Sequence, residues 1–405
     1  MKVAMLHWAF PPIIGGVESH LAMLGPELVR FGCQVSLLTG SVNGAEKEYV
    51  WQGMKIYRRN LFDLNNLNPS LLRQKAKEIT EEVGRFIEKE KPDIIHAHNM
   101  HYFSPEHADA LFAVKNSLDI PLVLTAHNVW ADDLWTQFNA RAHYWDAVIA
   151  VSHYIKRELV RAGYPDKRIT VIHHGIDLEL FKPDRDDSAA GKTFSQFAGR
   201  RVIFHPARMS LAKGSHISVQ ALAQIRERFP DVLLVLAGTE KTVDWGSYQG
   251  EEVSRIKNLV AELGLAGHVY IEFFPWEKMP LVYRDAEICI YPSCFEEPFG
   301  LVMLEAMASA KPIVVSRAGG MPEVVKDRVC GFVVPMNDPR ELAGRCCQLL
   351  AEPALARQMG ETGRKIAQKS YPKELMAART LHVYGDLLSF YWRRRGSSAG
   401  KKFIA

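Results

Sequence analysis

Residues 288–316 have the sequence ICIYPSCFEEPFGLVMLEAMASAKPIVVS, and this stretch decides the fold. A short apolar run rich in strand formers is followed by a loop, a helical stretch of leucine, methionine and alanine, and a second apolar run. Parallel strands joined by crossover helices give this alternation. The stretch therefore predicts part of a doubly wound α/β sheet, with its helix expected to begin near Phe299.

Two glutamates, Glu297 and Glu305, flank the expected start of this helix. A helix N-terminus offers unpaired backbone N–H groups and a partial positive charge, which suit a phosphate group. Carboxylates on either side can accept hydrogen bonds from ribose and sugar hydroxyls. The spacing favours a sugar nucleotide lying across the helix start. The alternative is structural, with a capping carboxylate followed by a solvated helix glutamate.

The same alternation of strands and helices occurs in both halves of the chain. Several strands are apolar throughout, as is typical of strands covered on both faces. Ligands of doubly wound sheets bind at the carboxyl ends of the strands. Twelve strands are predicted, at 2–8, 34–40, 93–98, 121–127, 147–152, 170–175, 201–207, 232–238, 268–274, 288–293, 312–316 and 331–335.

The polar, turn-rich segment 182–200 separates the two sets of strands. We therefore expect Rossmann-like domains at residues 1–185 and 201–371, joined by a linker at 186–200 and facing each other across a cleft. Residues 372–405 are expected to form a final helix that crosses back to the first domain, followed by a basic tail.

The composition is that of a globular protein, with 405 residues, 47% hydrophobic residues and a net charge of +4. This mild charge does not require nucleic acid, and no aromatic and arginine pattern of an RNA-binding sheet is present. No apolar run approaches the roughly 20 residues that span a bilayer. Six cysteines without a C-x-x-C pair indicate free thiols. We expect a cytoplasmic protein; weak attachment of the basic tail to an anionic membrane is the alternative.

The segment GGVESH at 15–20 follows the first predicted strand. Gly15 and Gly16 allow backbone to approach a ligand, and the next helix is expected to begin near Val17. The spacing is not G-x-G-x-x-G, so it does not support a dinucleotide fingerprint. A tight turn without a ligand is the alternative.

Two cations, Arg208 and Lys213, follow the first strand of the second half. Arginine can bind a diphosphate as a fork and lysine as a point charge, although a generic pair of surface cations is the better explanation when the pair is taken alone. His127 ends a predicted strand of the first half. It is placed either to contact a sugar hydroxyl or to serve as a structural histidine.

Taken in order, these segments resemble the retaining glycosyltransferases of family four, in the GT-B superfamily. The ordered set is specific, whereas each piece alone is not. The resemblance covers nearly the whole chain and is carried by GGVESH, VIHHGIDLELF at 171–181, Arg208, Lys213 with Gly214, EEPFGLVMLEAMA at 296–308 and AGGMPEVV at 318–325.

The resemblance implies a GT-B fold and transfer of a sugar from a UDP- or GDP-sugar with retained anomeric configuration. It implies no bound metal and no cofactor, since the nucleotide sugar is a co-substrate. The acceptor is expected to be a glycan, a glycolipid or a small molecule. The implied catalytic residues are His127, Arg208, Lys213 and Glu297, and the implied donor-binding residues are Gly15, Gly16, Arg208, Lys213, Glu297 for the sugar, Phe299, Gly300, Leu301, Val302 and Glu305 for the ribose.

Two patterns that suggest a metal are set aside. HAHNMH at 96–101 places His96 and His98 on one strand face, and residues 184–186 form a D-x-D pattern inside the polar segment 182–200. A nucleotide-sugar epimerase and a non-catalytic nucleotide-sugar-binding protein of the same fold are the alternative functions.

Overall fold

The computed structural model describes residues 1–183, 192–238 and 248–401. The chain forms two units, one of Met1–Gly175 with Lys373–Ala405 and one of Ile176–Pro372. Each unit is built around its own sheet. No helix in the described part of the chain combines the length and apolar character needed to cross a bilayer.

The first unit contains an eight-stranded sheet with the order β3-β4-β2-β1-β5-β6-β7-β8. All neighbours are parallel except β3 and β4, which form an antiparallel hairpin at the edge. All six strands predicted for this half are present, whereas the hairpin was not predicted. The strands are β1 Lys2–Leu6, β2 Gln34–Gly40, β3 Lys47–Trp51, β4 Met54–Arg59, β5 Ile94–His98, β6 Leu122–Ala126, β7 Ala147–Ala150 and β8 Ile169–Val171.

Side-chain caps fix where several helices of this unit begin. Asn68, Ser104, Asp132 and Ser152 each accept a hydrogen bond from the backbone N–H three residues later, and each such cap contributes about 1 kcal/mol. The helices are α1 Gly16–Arg30, α2 Pro69–Gln74, α3 Ala76–Glu90, α4 Pro105–Leu118, α5 Asp133–Asn139 and α6 His153–Arg161.

The second unit contains a six-stranded parallel sheet with the order β11-β10-β9-β12-β13-β14. All six predicted strands are present. They are β9 Arg201–His205, β10 Val232–Gly238, β11 Val269–Phe273, β12 Ile288–Tyr291, β13 Ile313–Ser316 and β14 Gly331–Val334. The helices are α7 Ser215–Arg228, α8 Tyr248–Glu262, α9 Met279–Asp285, α10 Leu301–Ala308, α11 Met321–Val324, α12 Pro339–Ala351 and α13 Pro353–Ser370.

The strand order reverses between β1 and β5 in the first sheet and between β9 and β12 in the second. At such a point the loops after two neighbouring strands diverge, which opens a crevice at the carboxyl edge of the sheet. The loops that follow β9 and β12 carry Arg208, Lys213 and Glu297. The topology of the second unit therefore brings the predicted cations and the predicted glutamate to one crevice.

The residues at which one unit ends and the other begins differ from the predicted domain boundaries. The chain passes from the first unit to the second after Gly175, ten residues before the predicted end of the first domain. The D-x-D pattern at 184–186 and the first part of the predicted linker, at 186–191, lie outside the described residues. Thr193 and Phe194 belong to the second unit because both hydrogen-bond the carboxylate of Asp285. Local polarity at 182–200 therefore does not mark the change of unit.

The last helix, α14 Lys373–Lys401, belongs to the first unit and packs against α1. The Lys373 Nζ lies 3.4 Å from the Glu27 carboxylate of α1, and the Tyr391 hydroxyl donates to Asp146 at 2.9 Å. The helix continues beyond Trp392, where the basic tail was expected to begin.

Candidate functional site

The turn after β9 holds Lys213 through a local hydrogen-bond network. The Ser210 hydroxyl accepts the Lys213 backbone N–H at 3.1 Å, and Gly214 follows with a φ of +78°. A Cβ on Gly214 would lie 1.8 Å from the carbonyl oxygen of Pro292, in the loop after β12. Only glycine permits this approach, so the turn that carries Lys213 packs directly on the loop that carries Glu297.

Glu297 lies at the centre of this contact and is only 7% exposed. Its Oε2 accepts hydrogen bonds from the Lys213 Nζ at 2.8 Å and from the Tyr291 hydroxyl at 2.6 Å. The Lys213 ammonium also lies 4.5 Å from the centre of the Phe295 ring, a cation–π contact. Two residues predicted from the sequence, Lys213 and Glu297, are thus joined directly, whereas Tyr291 was not predicted.

Arg208 contributes its charge to the same crevice. Burial and the neighbouring Glu297 carboxylate raise the pKa of Tyr291 well above its usual range, and the Arg208 guanidinium acts in the opposite direction. Arg208 therefore lies within electrostatic reach of the Tyr291 hydroxyl, at the carboxyl end of β12. The crevice holds two cations, one buried carboxylate and one buried phenol.

Glu296, the neighbour of Glu297, has a different role. It is exposed, and its carboxylate accepts the backbone N–H of Gly319. Gly320 donates its N–H to the Glu297 carbonyl at 2.8 Å, while a Cβ on Gly319 would lie 2.2 Å from that same oxygen. The turn after β13 thus holds the loop after β12 through Glu296 and the Glu297 backbone. The Glu297 side chain is the one that contacts the Lys213 ammonium.

The helix start beside this loop lies two residues later than predicted. α10 begins at Leu301, because Gly300 has a left-handed backbone with φ +84° and ends the loop. Phe299 is buried and its ring lies 6.2 Å from the ring of Tyr371, so only its backbone can face a ligand. The first N–H groups of a helix have no intrahelical acceptor, which leaves those of Leu301 and Val302 suited to an anion.

Glu305 is the fifth residue of α10, little more than one turn from the helix start. The Tyr283 hydroxyl donates to its Oε2 at 2.6 Å. Burial raises the pKa of Glu305 to about 7, and the Tyr283 hydrogen bond acts against this rise. The carboxyl group therefore changes its charge near neutral pH. Neither the role of Tyr283 nor this burial was predicted from the sequence.

In the first unit, the predicted glycine turn precedes α1, which begins at Gly16 rather than at Val17. Gly15 has an extended backbone that any residue can adopt, but a Cβ there would lie 2.2 Å from a carboxylate oxygen of Glu18. The buried Glu18 lies 3.2 Å from the His7 Nε2. Gly15 thus leaves room for Glu18, whereas the space beside Gly16 is open among the described residues.

His127 follows β6 directly and is buried among other histidines. Its Nε2 lies 3.2 Å from the His98 Nδ1, and its ring stacks on His174 with centroids 5.2 Å apart. The centroid of the His20 ring lies 4.8 Å from that of His127, and the two ring planes are inclined at 73°. Of these histidines only His127 was predicted as a site residue, although GGVESH, HAHNMH and VIHHG each carry one of its partners.

Burial keeps these imidazoles uncharged. It lowers the pKa of His20 to about 3 and lowers the pKa values of His98, His127 and His174 well below 6.5. A neutral imidazole has one nitrogen that donates and one that accepts. The site in the first unit is therefore polar and uncharged, unlike the cationic crevice in the second unit.

Two family models match the chain. The model described as Glycosyltransferase Family 4 matches residues 14–180, and the one described as Glycosyl transferases group 1 matches residues 192–366. Together they cover most of both units. The chain belongs to the family-four glycosyltransferases. The resemblance found in the sequence is thereby confirmed.

Comparison with individual proteins extends over nearly the full length of this glycosyltransferase. An uncharacterized glycosyltransferase of Methanocaldococcus jannaschii is 26% identical and aligns with 95% of this chain and 98% of its own. A sucrose-phosphate synthase from Thermosynechococcus elongatus superposes with a TM-score of 0.81 at 23% identity, covering 96% of this chain and 99% of the other. Anabaena HepE, solved with UDP-glucose, superposes with a TM-score of 0.74 at 22% identity, covering 96% and 99%. These structures confirm the predicted GT-B fold.

Proposed function

We propose that this glycosyltransferase moves a hexosyl group from a UDP- or GDP-sugar to an acceptor hydroxyl with retention of configuration. The observation that carries the proposal is the contact of Lys213 with Glu297, in the crevice between β9 and β12. A cation, a buried carboxylate and a helix start at one switch point match the diphosphate and sugar of such a donor. Membership of family four supports retention.

The charge on the departing nucleotide diphosphate is the main cost of breaking the sugar bond. Arg208, Lys213 and the first N–H groups of α10 would stabilise that charge electrostatically. In comparable sites a single preorganised donor contributes about 3–4 kcal/mol. We therefore propose that transfer proceeds without a metal ion or other cofactor, because these groups offset the charge.

The Lys213 ammonium donates a hydrogen bond to the Glu297 carboxylate at 2.8 Å. On donor binding, we expect the ammonium to turn to the diphosphate, which leaves the Glu297 carboxylate free to accept sugar hydroxyls. The Tyr291 hydroxyl, 2.6 Å from the same oxygen, would keep that carboxylate in place. Glu305 would accept the ribose hydroxyls from its position on α10.

In the first unit we propose that His127 faces the reacting sugar and that Gly15 and Gly16 border the phosphate and the acceptor. The buried imidazole of His127 is uncharged, so it would act through hydrogen bonds to hydroxyl groups rather than as a cation. The acceptor is a glycan, a glycolipid or a small molecule.

Substitution of the two cations tests the proposal. Lys213→Ala and Arg208→Ala should each lower transfer from the preferred UDP- or GDP-sugar at least about 100-fold, the loss expected for one charge-stabilising donor. Lys257→Ala, which removes an exposed cation on α8, is the matched control and should retain full activity. Far-UV circular dichroism would verify that all three variants are folded.

Further measurements identify the nucleotide of the donor and distinguish a transferase from the two alternative functions. Thermal-shift measurements with UDP, GDP and ADP identify the base, because a bound ligand raises the melting temperature. Slow hydrolysis of the matching nucleotide sugar by the wild type distinguishes a transferase from a non-catalytic binder, and conversion of the sugar to its epimer would indicate an epimerase. Full turnover in both cation variants would overturn the proposed role of the crevice.

A further inference from the structure

Three histidines from different elements converge in the first unit. His20 lies on α1, His98 ends β5 and His127 follows β6. One ring nitrogen from each lies within 4.8 Å of the others, and the three side chains belong to residues only 4%, 0% and 6% exposed. This cluster shares only His98 with the pair of His96 and His98 considered from the sequence. The other two histidines, His20 and His127, come from other parts of the fold.

Each of the three rings also has a nitrogen without a hydrogen-bond partner among the described residues. These atoms are the His20 Nε2, the His98 Nε2 and the His127 Nδ1. A buried polar atom left unpaired costs about 1–3 kcal/mol, and most buried polar atoms in proteins are paired. Each of the three rings therefore keeps one nitrogen that is available to a further partner.

The ring positions suit a metal ion bound by three imidazoles. The ring centroids of His20, His98 and His127 lie 4.8, 5.5 and 5.5 Å apart. A tetrahedral zinc ion with Zn–N bonds of about 2.0–2.1 Å places the centroids of its imidazole ligands about 5 Å apart. The ring centres are thus already at the required spacing. Rotation of the rings would bring the ligand nitrogens to about 3.3 Å from one another, as that coordination requires.

The surroundings of the cluster would support such a site. The His174 Nδ1 lies 2.9 Å from the His20 Nδ1, and the buried carboxylate of Glu18 lies 3.2 Å from His7, whose ring contacts the His98 carbonyl. A partner in contact with a ligand ring, as His174 is with His20, orients that imidazole.

We propose that His20, His98 and His127 form a three-histidine site for a divalent transition-metal ion such as Zn²⁺, with one coordination position left open. Imidazole nitrogen is a preferred ligand of zinc, copper and nickel. The ion inhibits sugar transfer, because it occupies the His127 imidazole that faces the reacting sugar. This inhibition rests on the proposed function, whereas metal binding does not.

Cobalt titration of the full-length protein tests the site. After treatment with a chelator, the wild type should bind one Co²⁺ per chain, with the visible absorption of four-coordinate cobalt and displacement by Zn²⁺. His20→Gln and His98→Gln should each weaken Co²⁺ binding more than about 100-fold, since even loss of a residue that only orients a ligand costs 10–100-fold. Neither residue belongs to the proposed catalytic set.

His107→Gln is the matched control. His107 is a buried histidine of the same unit, and its two ring nitrogens already contact the Ser104 hydroxyl and the Leu61 carbonyl. This variant should bind Co²⁺ like the wild type. Circular dichroism without metal checks the fold, and a rise in the wild-type melting temperature with Zn²⁺ tests binding without any variant.

The outcomes separate the two claims. A wild type that neither binds Co²⁺ nor gains thermal stability with Zn²⁺ would overturn the site, as would full cobalt absorption in folded His20→Gln and His98→Gln. If Co²⁺ binds at the three histidines but saturating Zn²⁺ leaves transfer unchanged, the metal site stands and the proposed role of His127 in transfer fails.

Discussion

Replacement of Glu305 by glutamine should make the protein more stable, and increasingly so as the pH rises. Glu305 is partly buried on α10, where its Oε2 accepts the Tyr283 hydroxyl at 2.6 Å. Burial raises the pKa of this carboxyl from 4.5 to about 7. The folded protein therefore holds the proton more tightly than the unfolded chain, and stability falls as the pH rises from about 4.5 to about 7. Glutamine has nearly the same shape, can accept the same hydrogen bond and never ionises.

The magnitude follows from the size of the shift. The rise of the pKa from 4.5 to about 7, at about 1.4 kcal/mol for each tenfold change in acidity, corresponds to roughly 3.5 kcal/mol. Water that reaches this partly buried carboxylate would reduce the figure toward about 2 kcal/mol. Glu305→Gln should gain this amount in free energy of unfolding at pH 8, and less than about 1 kcal/mol at pH 5. For a unit of this size the gain corresponds to a rise of about 4–12 °C in melting temperature.

Scanning fluorimetry of the protein without nucleotide, at pH 5, 6, 7 and 8, provides the assay. The matched control is Glu272→Gln, since Glu272 accepts a hydrogen bond from the Tyr270 hydroxyl at 3.0 Å but lies exposed on β11 of the same unit. The control should differ from the wild type by the same small amount at every pH. The reasoning is refuted if Glu305→Gln has the same effect at pH 5 and pH 8, or melts below the wild type at pH 8.

Two further substitutions probe packing. Gly214→Ala places a Cβ 1.8 Å from the Pro292 carbonyl at a φ of +78°, so it should lower the melting temperature and weaken nucleotide binding, whereas exposed Gly267→Ala should do neither. Lys115→Met removes the buried ammonium that lies 2.6 Å from the partly buried Asp146, and urea unfolding should show a loss of about 3 kcal/mol that salt hardly changes. Unchanged unfolding of either variant would contradict these contacts.

The sheets were predictable because their strands are apolar on both faces, and the missed hairpin shows the limit of that signal. β3 has the sequence KEYVW, and only its tyrosine and tryptophan are partly buried. Gln52 and Gly53, with φ values of 47° and 81°, form the tight turn to β4. An exposed edge strand need not be apolar, and glutamine before glycine is a weaker turn signal than asparagine or aspartate.

The cations and glutamates of the second unit were predictable because each follows a recognisable strand. Strand positions alone show which loops share a carboxyl edge, since ligands of parallel sheets bind there. The tyrosines were not predictable in the same way. Tyr283 and Tyr291 lie within a helix and a strand, and only the packed structure shows that their hydroxyls reach Glu305 and Glu297. Burial of Glu305, and hence its shifted pKa, likewise depends on tertiary packing.

The histidine cluster shows why a residue type must be considered together with strand order. β1 and β5 are neighbours at the switch point, and β6 adjoins β5. His98 and His127 therefore stand at the ends of adjacent strands, and the rings of both contact the ring of His20 on α1. In the sequence these three residues are separated by tens of positions, and each has a simple structural explanation. The first unit thus gathers uncharged imidazoles at its switch point, while the second gathers Arg208 and Lys213. Because only the second set carries positive charge, an anionic leaving group would be stabilised there, and the first set is left to recognise uncharged hydroxyls or to bind a metal ion.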